Sequence, residues 1–141
     1  MNDTLQYLQV NYFPSDAMVV RNGDIADCIY FITRKFSRVH VQSPQHKIVL
    51  AELVQGSFFG DTSCLFQVPS RFDYKITYRT RKAADENLFI YMSYIESRHI
   101  NKLCNKYVEF GNFLRHRATR RISYWSMIER GCIKAYQQLR K

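Results

Sequence analysis

The sequence predicts an α+β fold: about eight short antiparallel strands closing into a sandwich or roll, then a short helix, then a long C-terminal helix. Three observations carry this. Between Gln9 and Ser93, short apolar or alternating runs recur, each bounded by turn residues, as in small antiparallel sheets. From Tyr94 onward the apolar spacing becomes helical. The charge divides at nearly the same place. Residues 1–97 hold ten Lys/Arg and ten Asp/Glu, whereas residues 98–141 hold eleven Lys/Arg against Glu109 and Glu129 alone, so the net +9 lies wholly in the helical part.

With 141 residues, 46% of them hydrophobic, the chain can build one core but not two. One domain is expected over 1–131, with strands over about 9–93, helices over about 94–131 and a basic tail over 132–141. No apolar run approaches the roughly 18 residues that a spanning helix needs. The opening MNDTLQYLQV lacks the basic-then-apolar order of a signal peptide. Cys28, Cys64, Cys104 and Cys132 are widely spaced without a CxxC pair, the usage of reduced cytosolic thiols. His40, His46, His99 and His116 form no ligand cluster, so no metal or cofactor is expected. No Ser/His/Asp set stands out, and an enzyme is not expected.

Taken in order, Val10–Phe13 runs into Pro14-Ser15-Asp16, and Ala17–Arg21 into Asn22-Gly23-Asp24, a hairpin-type turn signal. Cys28–Thr33 and Phe36–Val41 flank Arg34-Lys35, and Ile48–Val54 follows the polar loop Ser43-Pro44-Gln45-His46. Phe72–Thr80 alternates through Tyr74, Ile76 and Tyr78, and Leu88–Met92 is the last strand-like run. Ser93 or Ser97 is placed to cap a short helix carrying Ile95, Ile100 and Leu103. A longer helix is expected from about Val108 to Arg130, with Gly131 as its stop; whether the tail continues it stays open. Phe110, Leu114, Ala118, Ile122, Trp125 and Ile128 fall on one stripe of that helix. Arg117 and Arg121 project into it, which requires either snorkelling to water or a negative partner.

Within the strand region, Leu53–Arg71 (LVQGSFFGDTSCLFQVPSR) is a different kind of segment. Gly56 opens it, the Phe58-Phe59 pair follows, the chain breaks at Gly60-Asp61, and Arg71 ends it. A glycine before a short helical run offers backbone N–H groups to an anion. An arginine forks two hydrogen bonds onto a phosphate. Together they imply a cradle for one phosphate and the group beside it. The plainer reading also stands: Gly60 a tight turn, Arg71 a surface residue paired with Asp61 or Asp73, and Phe31, Ile32, Phe58 and Phe59 core.

The order of roll, glycine-phosphate cradle, roll, short helix and long helix resembles the cyclic nucleotide-binding domain family. It is most like the C-terminal regulatory domains of cyclic nucleotide-gated, hyperpolarisation-activated and ether-à-go-go type cation channels. The residues carrying the resemblance are Tyr12-Phe13-Pro14-Ser15-Asp16, Val20-Arg21-Asn22-Gly23-Asp24, Ile29-Tyr30-Phe31-Ile32, Gly56-Ser57-Phe58-Phe59-Gly60-Asp61, and Arg71. It covers roughly residues 5–130 and implies an eight-stranded, jelly-roll-like β-roll (a double-stranded β-helix) under a C-terminal lid helix. The resemblance implies a ligand, cAMP or cGMP, held by the cassette Phe59, Gly60, Asp61, Thr62 and Ser63 together with Arg71 and Phe72. The amides at Gly60, Thr62 and Ser63 would face the cyclic phosphate, and Asp61 the ribose 2′-hydroxyl. Arg71 would meet the exocyclic oxygens. Val41 and Ala51 would floor the purine, and Arg121 and Trp125 would close over it as a lid.

The chain also departs from the family pattern. Asp61 stands where glutamate is usual, shortening the side chain by roughly 1.5 Å. Ser15 and Lys35 stand where glycine is usual, and Phe72-Asp73 where Ser or Thr plus Ala is. Arg79-Thr80 is a reserve register for the phosphate arginine. Gly-Asp in place of Gly-Glu is similar to the ether-à-go-go type domains, which do not respond to cyclic nucleotides but lack the arginine that this chain has. Three readings follow. The first is a nucleotide-sensing module on the cytosolic side of a tetrameric cation channel, cut from a larger chain. The second is a homology domain of the same fold that binds no ligand and serves assembly or intrinsic regulation. The third is binding of the basic helix to an anionic membrane or nucleic acid, although too few residues follow Gly131 for a helix–turn–helix.

Overall fold

Two four-stranded antiparallel sheets face one another in the computed structural model, which describes residues 6–14, 16–78 and 90–139. One sheet has the order β1 (Gln9–Phe13), β8 (Ile90–Glu96), β3 (Cys28–Phe31), β6 (Phe58–Phe59). The other has β2 (Met18–Val20), β7 (Asp73–Tyr78), β4 (Ser37–Gln42), β5 (Val49–Leu53). Strands near in sequence mostly change sheet, which is the jelly-roll connection that the sequence implied. The sheets bury their alternating apolar faces against each other: Val39, Val41, Phe59, Phe72, Ile76 and Met92 are fully enclosed between them.

The differences from the expected boundaries have physical causes. Phe58-Phe59 forms a two-residue strand by pairing with Phe31 and Tyr30, too short to read as a period. Tyr94, Ile95 and Glu96, expected to be helical, extend β8. Tyr94 pairs with Gln9 on one side and Tyr30 on the other, and sheet hydrogen bonding overrides the local spacing. The short helix α2 therefore starts at Ser97 and runs to Lys106, with Glu96 rather than a serine at its N-cap and no side-chain cap hydrogen bond. The Asn22-Gly23 turn closes no hairpin, because β2 and β3 lie in different sheets. Among the described non-glycine residues, positive φ occurs at Asp16 (63°), Lys47 (55°) and Gln67 (53°) and not at Lys35, so the turn at Lys35 needs no glycine. Ser15 lies outside the described residues.

Of the three helices among the described residues, the first is α1 (Asp61–Phe66), inserted between β6 and β7. The last, α3, spans Val108–Leu139, so Gly131 is not its end and the basic tail is helical as far as Leu139. Exposure and open space around Gly131 allow the helix to pass through it at a modest entropic cost. Leu114, Ala118 and Trp125 of the expected stripe are buried, and Phe110, Ile122 and Ile128 half-buried. Gly111, Ser126 and Glu129 join the buried side. A second apolar cluster of Ile29, Ile95, Ile100 and Leu114 packs α2 and the start of α3 on the roll, which lays the remainder of α3 across the cassette. No helix among the described residues is long and apolar enough to cross a membrane.

Candidate functional site

The cassette is shaped by backbone constraints at Gly60. This residue is the N-cap of α1 with φ 82° and ψ 0°, in the left-handed region, and a Cβ there would stand 3.0 Å from the carbonyl oxygen of Cys28. Only glycine meets both conditions without strain. Beyond it, Ser63 latches the segment from within: its hydroxyl donates to the Val68 carbonyl (2.6 Å) and accepts from the Ala26 amide (2.7 Å). Thr62 ties the cassette to α3, its hydroxyl 3.4 Å from the Ala118 carbonyl.

Asn22, which the sequence marked only as a turn residue, holds the other rim. Its side-chain amide donates to the carbonyls of Ser70 and Arg71 at 3.0 Å each. Its backbone N–H donates to Asp73 Oδ1 at 2.7 Å. Asp73 is buried and also faces Lys47 Nζ at 3.7 Å, so this extra carboxylate is turned to the β2–β3 turn and away from the cassette. The signal for Asn22 was present in Asn-Gly, but the partner rim lies 48 residues away in sequence.

A small cavity of about 110 Å³ remains between the rims, lined by Gly60, Thr62, Ser63, Ser70, Arg71, Tyr74 and Ile122 among others. Gly60, Thr62, Ser63 and Arg71 are thus brought together as expected. On its outer side Arg71 also borders an open cleft of about 550 Å³ with Asn22, Pro44, Gln45, Glu129 and Ile133. Phe59 and Phe72 are core side chains. Phe59 lies stacked between Tyr30 and Tyr74 (ring centroids 5.2 Å each), and Phe72 meets Trp125 edge-on at 6.2 Å. Val41 and Ala51 are cross-strand partners on β4 and β5. They belong to the same apolar cluster as Trp125, Val41 among its buried members and Ala51 packed against it. Arg79 lies outside the described residues.

Asp61, Arg71, Arg121 and Glu129 each face an opposite charge, though not as the plainer sequence reading had it. Asp61, 3% exposed, accepts a hydrogen bond of 2.7 Å from Arg121 Nη2. Arg71, half-exposed, has Nη2 at 3.6 Å from Glu129 Oε1. Arg121 also lies over the rings of Phe58 (4.7 Å) and Trp125 (5.0 Å), which resolves its position on an apolar face. Arg117 and Arg120 are exposed. Burial pushes the Asp61 carboxyl above its ordinary value; the Arg121 guanidinium and the amides of Asp61 and Thr62 pull it back without cancelling this. Its second oxygen, Oδ2, and Arg121 Nε have no hydrogen-bond partner among the described residues. No cluster of metal-binding side chains occurs among them either.

Two packed antiparallel sheets with a glycine-opened cassette and a helix laid across it define the cyclic nucleotide-binding domain fold, and solved structures of that class superpose on the chain. The regulatory domain of Toxoplasma gondii PKA with cAMP matches at TM-score 0.63 and 17% identity, over 86% of this chain and 41% of that one. The cAMP-bound PfPKA-R matches at 0.66 and 11%, over 92% and 38%. A Geobacter metallireducens protein assigned to cyclic nucleotide binding matches at 0.60 and 12%, over 84% and 79%. The chain thus spans about two fifths of the two kinase regulatory structures. No protein-family model and no curated protein sequence matches it.

Proposed function

We propose that this chain is a regulatory domain that binds a cyclic nucleotide, cAMP or cGMP, and transmits its occupancy through α3. The observation that carries this is the cavity with Gly60, Thr62 and Ser63 on one side and Arg71 on the other, in a fold shared with cAMP-bound structures. At about 110 Å³ it has room for the phosphate but not for a whole nucleotide, since ligand pockets are commonly about 300–1,000 Å³. Binding therefore requires α3 to lift, and a ligand shifts that equilibrium only by its affinity difference between the two positions. Titration with fluorescent cAMP and cGMP analogues tests the reading. Arg71→Ala is expected to weaken binding about tenfold or more, the loss of one charge-assisted hydrogen bond.

A second reading has its own observation. Asp61 is already paired with Arg121, and Trp125 is buried against Phe72 and Tyr74, as expected of a homology domain that no longer takes a ligand. Absence of binding at high micromolar nucleotide selects it. As the setting we propose the cytosolic side of a tetrameric cation channel, which rests on the sequence resemblance. Membrane-spanning runs encoded in frame beside this segment support that setting, and their absence from the parent reading frame overturns it.

A further inference from the structure

We propose that the outward face of α3 docks an acidic helix of a partner protein, along a seam that runs from Phe113 to Lys134. This surface is separate from the cassette, and the inference stands whether or not the cassette takes a nucleotide.

Phe113, Arg120, Met127 and Lys134 recur at every seventh position of α3. Arg117 and Tyr124, also seven apart, follow the first two by four residues. Alternating steps of four and three keep one line along a helix, here over roughly 32 Å. All six residues are exposed, because Leu114, Ala118 and Trp125 turn another side of α3 to the interior. Phe113, Tyr124 and Met127 are each more than half exposed. A groove of about 670 Å³ opens along the seam, lined by Phe113, Arg117, Arg120 and Tyr124 among others. Single apolar side chains on a surface are ordinary. Three on one line with arginines between them make a strip that a second helix can cover.

Charge decides the occupant. After Glu109 the helix holds one acid, Glu129, which is buried and turned to Arg71, so the seam presents cations alone. The side chains of Arg120 and Lys134 have no hydrogen-bond or ion-pair partner among the described residues. Arg117 lies over the Phe58 ring at 5.6 Å, with no carboxylate. A second copy of the chain brings the same cations and no acid, so pairing the seam with itself sets like charges together. A lipid surface fits less well. A helix lying in a bilayer surface keeps apolar and cationic residues on separate faces, whereas Arg120 stands among Phe113, Tyr124 and Met127 and would be carried in with them. Nor do the aromatics form a stacking platform for successive bases, since Phe113 and Tyr124 are roughly 16 Å apart along the axis. A facing helix with Asp or Glu opposite the cations and Leu opposite Phe113, Tyr124 and Met127 satisfies both kinds of residue.

The test titrates the whole chain into a fluorescent helical peptide of about 22 residues, long enough to cover the seam, with Leu and Glu at those facing positions. A second peptide has glutamine at every glutamate. The acidic peptide is expected to bind saturably, and the glutamine peptide at least tenfold more weakly. Arg120→Glu is expected to weaken the acidic peptide at least tenfold and Tyr124→Ala about fivefold. Lys102→Glu, at an exposed cation of α2 off the seam, is expected to match wild type. Both seam positions are exposed, so the variants are expected to melt with wild type, which separates a lost contact from a lost fold. Absence of binding by the acidic peptide, equal binding of the two peptides, or full affinity in Arg120→Glu overturns the proposal. So does tighter binding, lost in Arg120→Glu, to phosphatidylserine vesicles, to single-stranded DNA, or to a second copy of the chain in sedimentation.

Discussion

At Gly60 two constraints meet, a left-handed backbone and a carbonyl at contact distance. Gly60→Ala is expected to cost about 1–2 kcal/mol from the backbone alone, more if the Cys28 carbonyl has to move. Urea or thermal denaturation measures this, and a cost below a few tenths of a kcal/mol would contradict the geometry. Gly60 and Arg71 were legible in the sequence because glycine and arginine carry their chemistry wherever they stand. The partners of the charged groups were not. Asp61 and Arg121 are sixty positions apart, and no local pattern links them. The sequence nevertheless posed the question correctly, since an arginine within an apolar stripe demands a negative partner. Asn22 shows a different limit: its turn propensity is local, while its work, holding the carbonyls of Ser70 and Arg71, depends on the closure of the roll.

Among the elements, the strands were read best where alternation persists, as in β4 and β7, because one face of each is buried between the sheets. The errors fall where sheet and helix compete. β8 runs on through Glu96 because two neighbouring strands pair with it there. α3 runs on past Gly131, since a glycine stops a helix only when the chain takes a left-handed turn at it. That correction is testable. In the interior of an exposed helix, Gly131→Ala is expected to stabilise the protein by about 0.5–1 kcal/mol, whereas at a left-handed cap it would destabilise. Thermal melting of the two proteins decides the sign. The serine caps failed for a related reason: with β8 extended, Ser97 falls inside α2 and Glu96 takes the cap position.

For the molecule as a whole, the jelly-roll connection was accessible only through the resemblance, because strand periodicity yields a number of strands but not their order. The interior built by that connection sets the chemistry of the cysteines. Burial pushes Cys28 up to about 11 and Cys64 up to about 12, and raises Cys104 as well, while Cys132 is only partly buried on α3. A thiol raised in this way stays protonated as pH rises until its folded value is reached, so at pH 8 these three are poor nucleophiles. With an aromatic disulfide reagent at pH 8, one fast thiol is expected from the folded protein, removed by Cys132→Ser, and the others only on unfolding. Two or more fast thiols in the native protein would mean that the packing of the helices on the roll does not enclose the other three.

The continuity of α3 past Gly131 makes the helix a lever. Its contact with the cassette at Ala118 lies 21 residues from Leu139, roughly 32 Å along the axis. A tilt of about 10° around that point moves the far end by roughly 5 Å while shifting Trp125 by less than 2 Å. A displacement too small to unfold anything in the site thus arrives at the end of the helix as a stroke comparable to one helical turn.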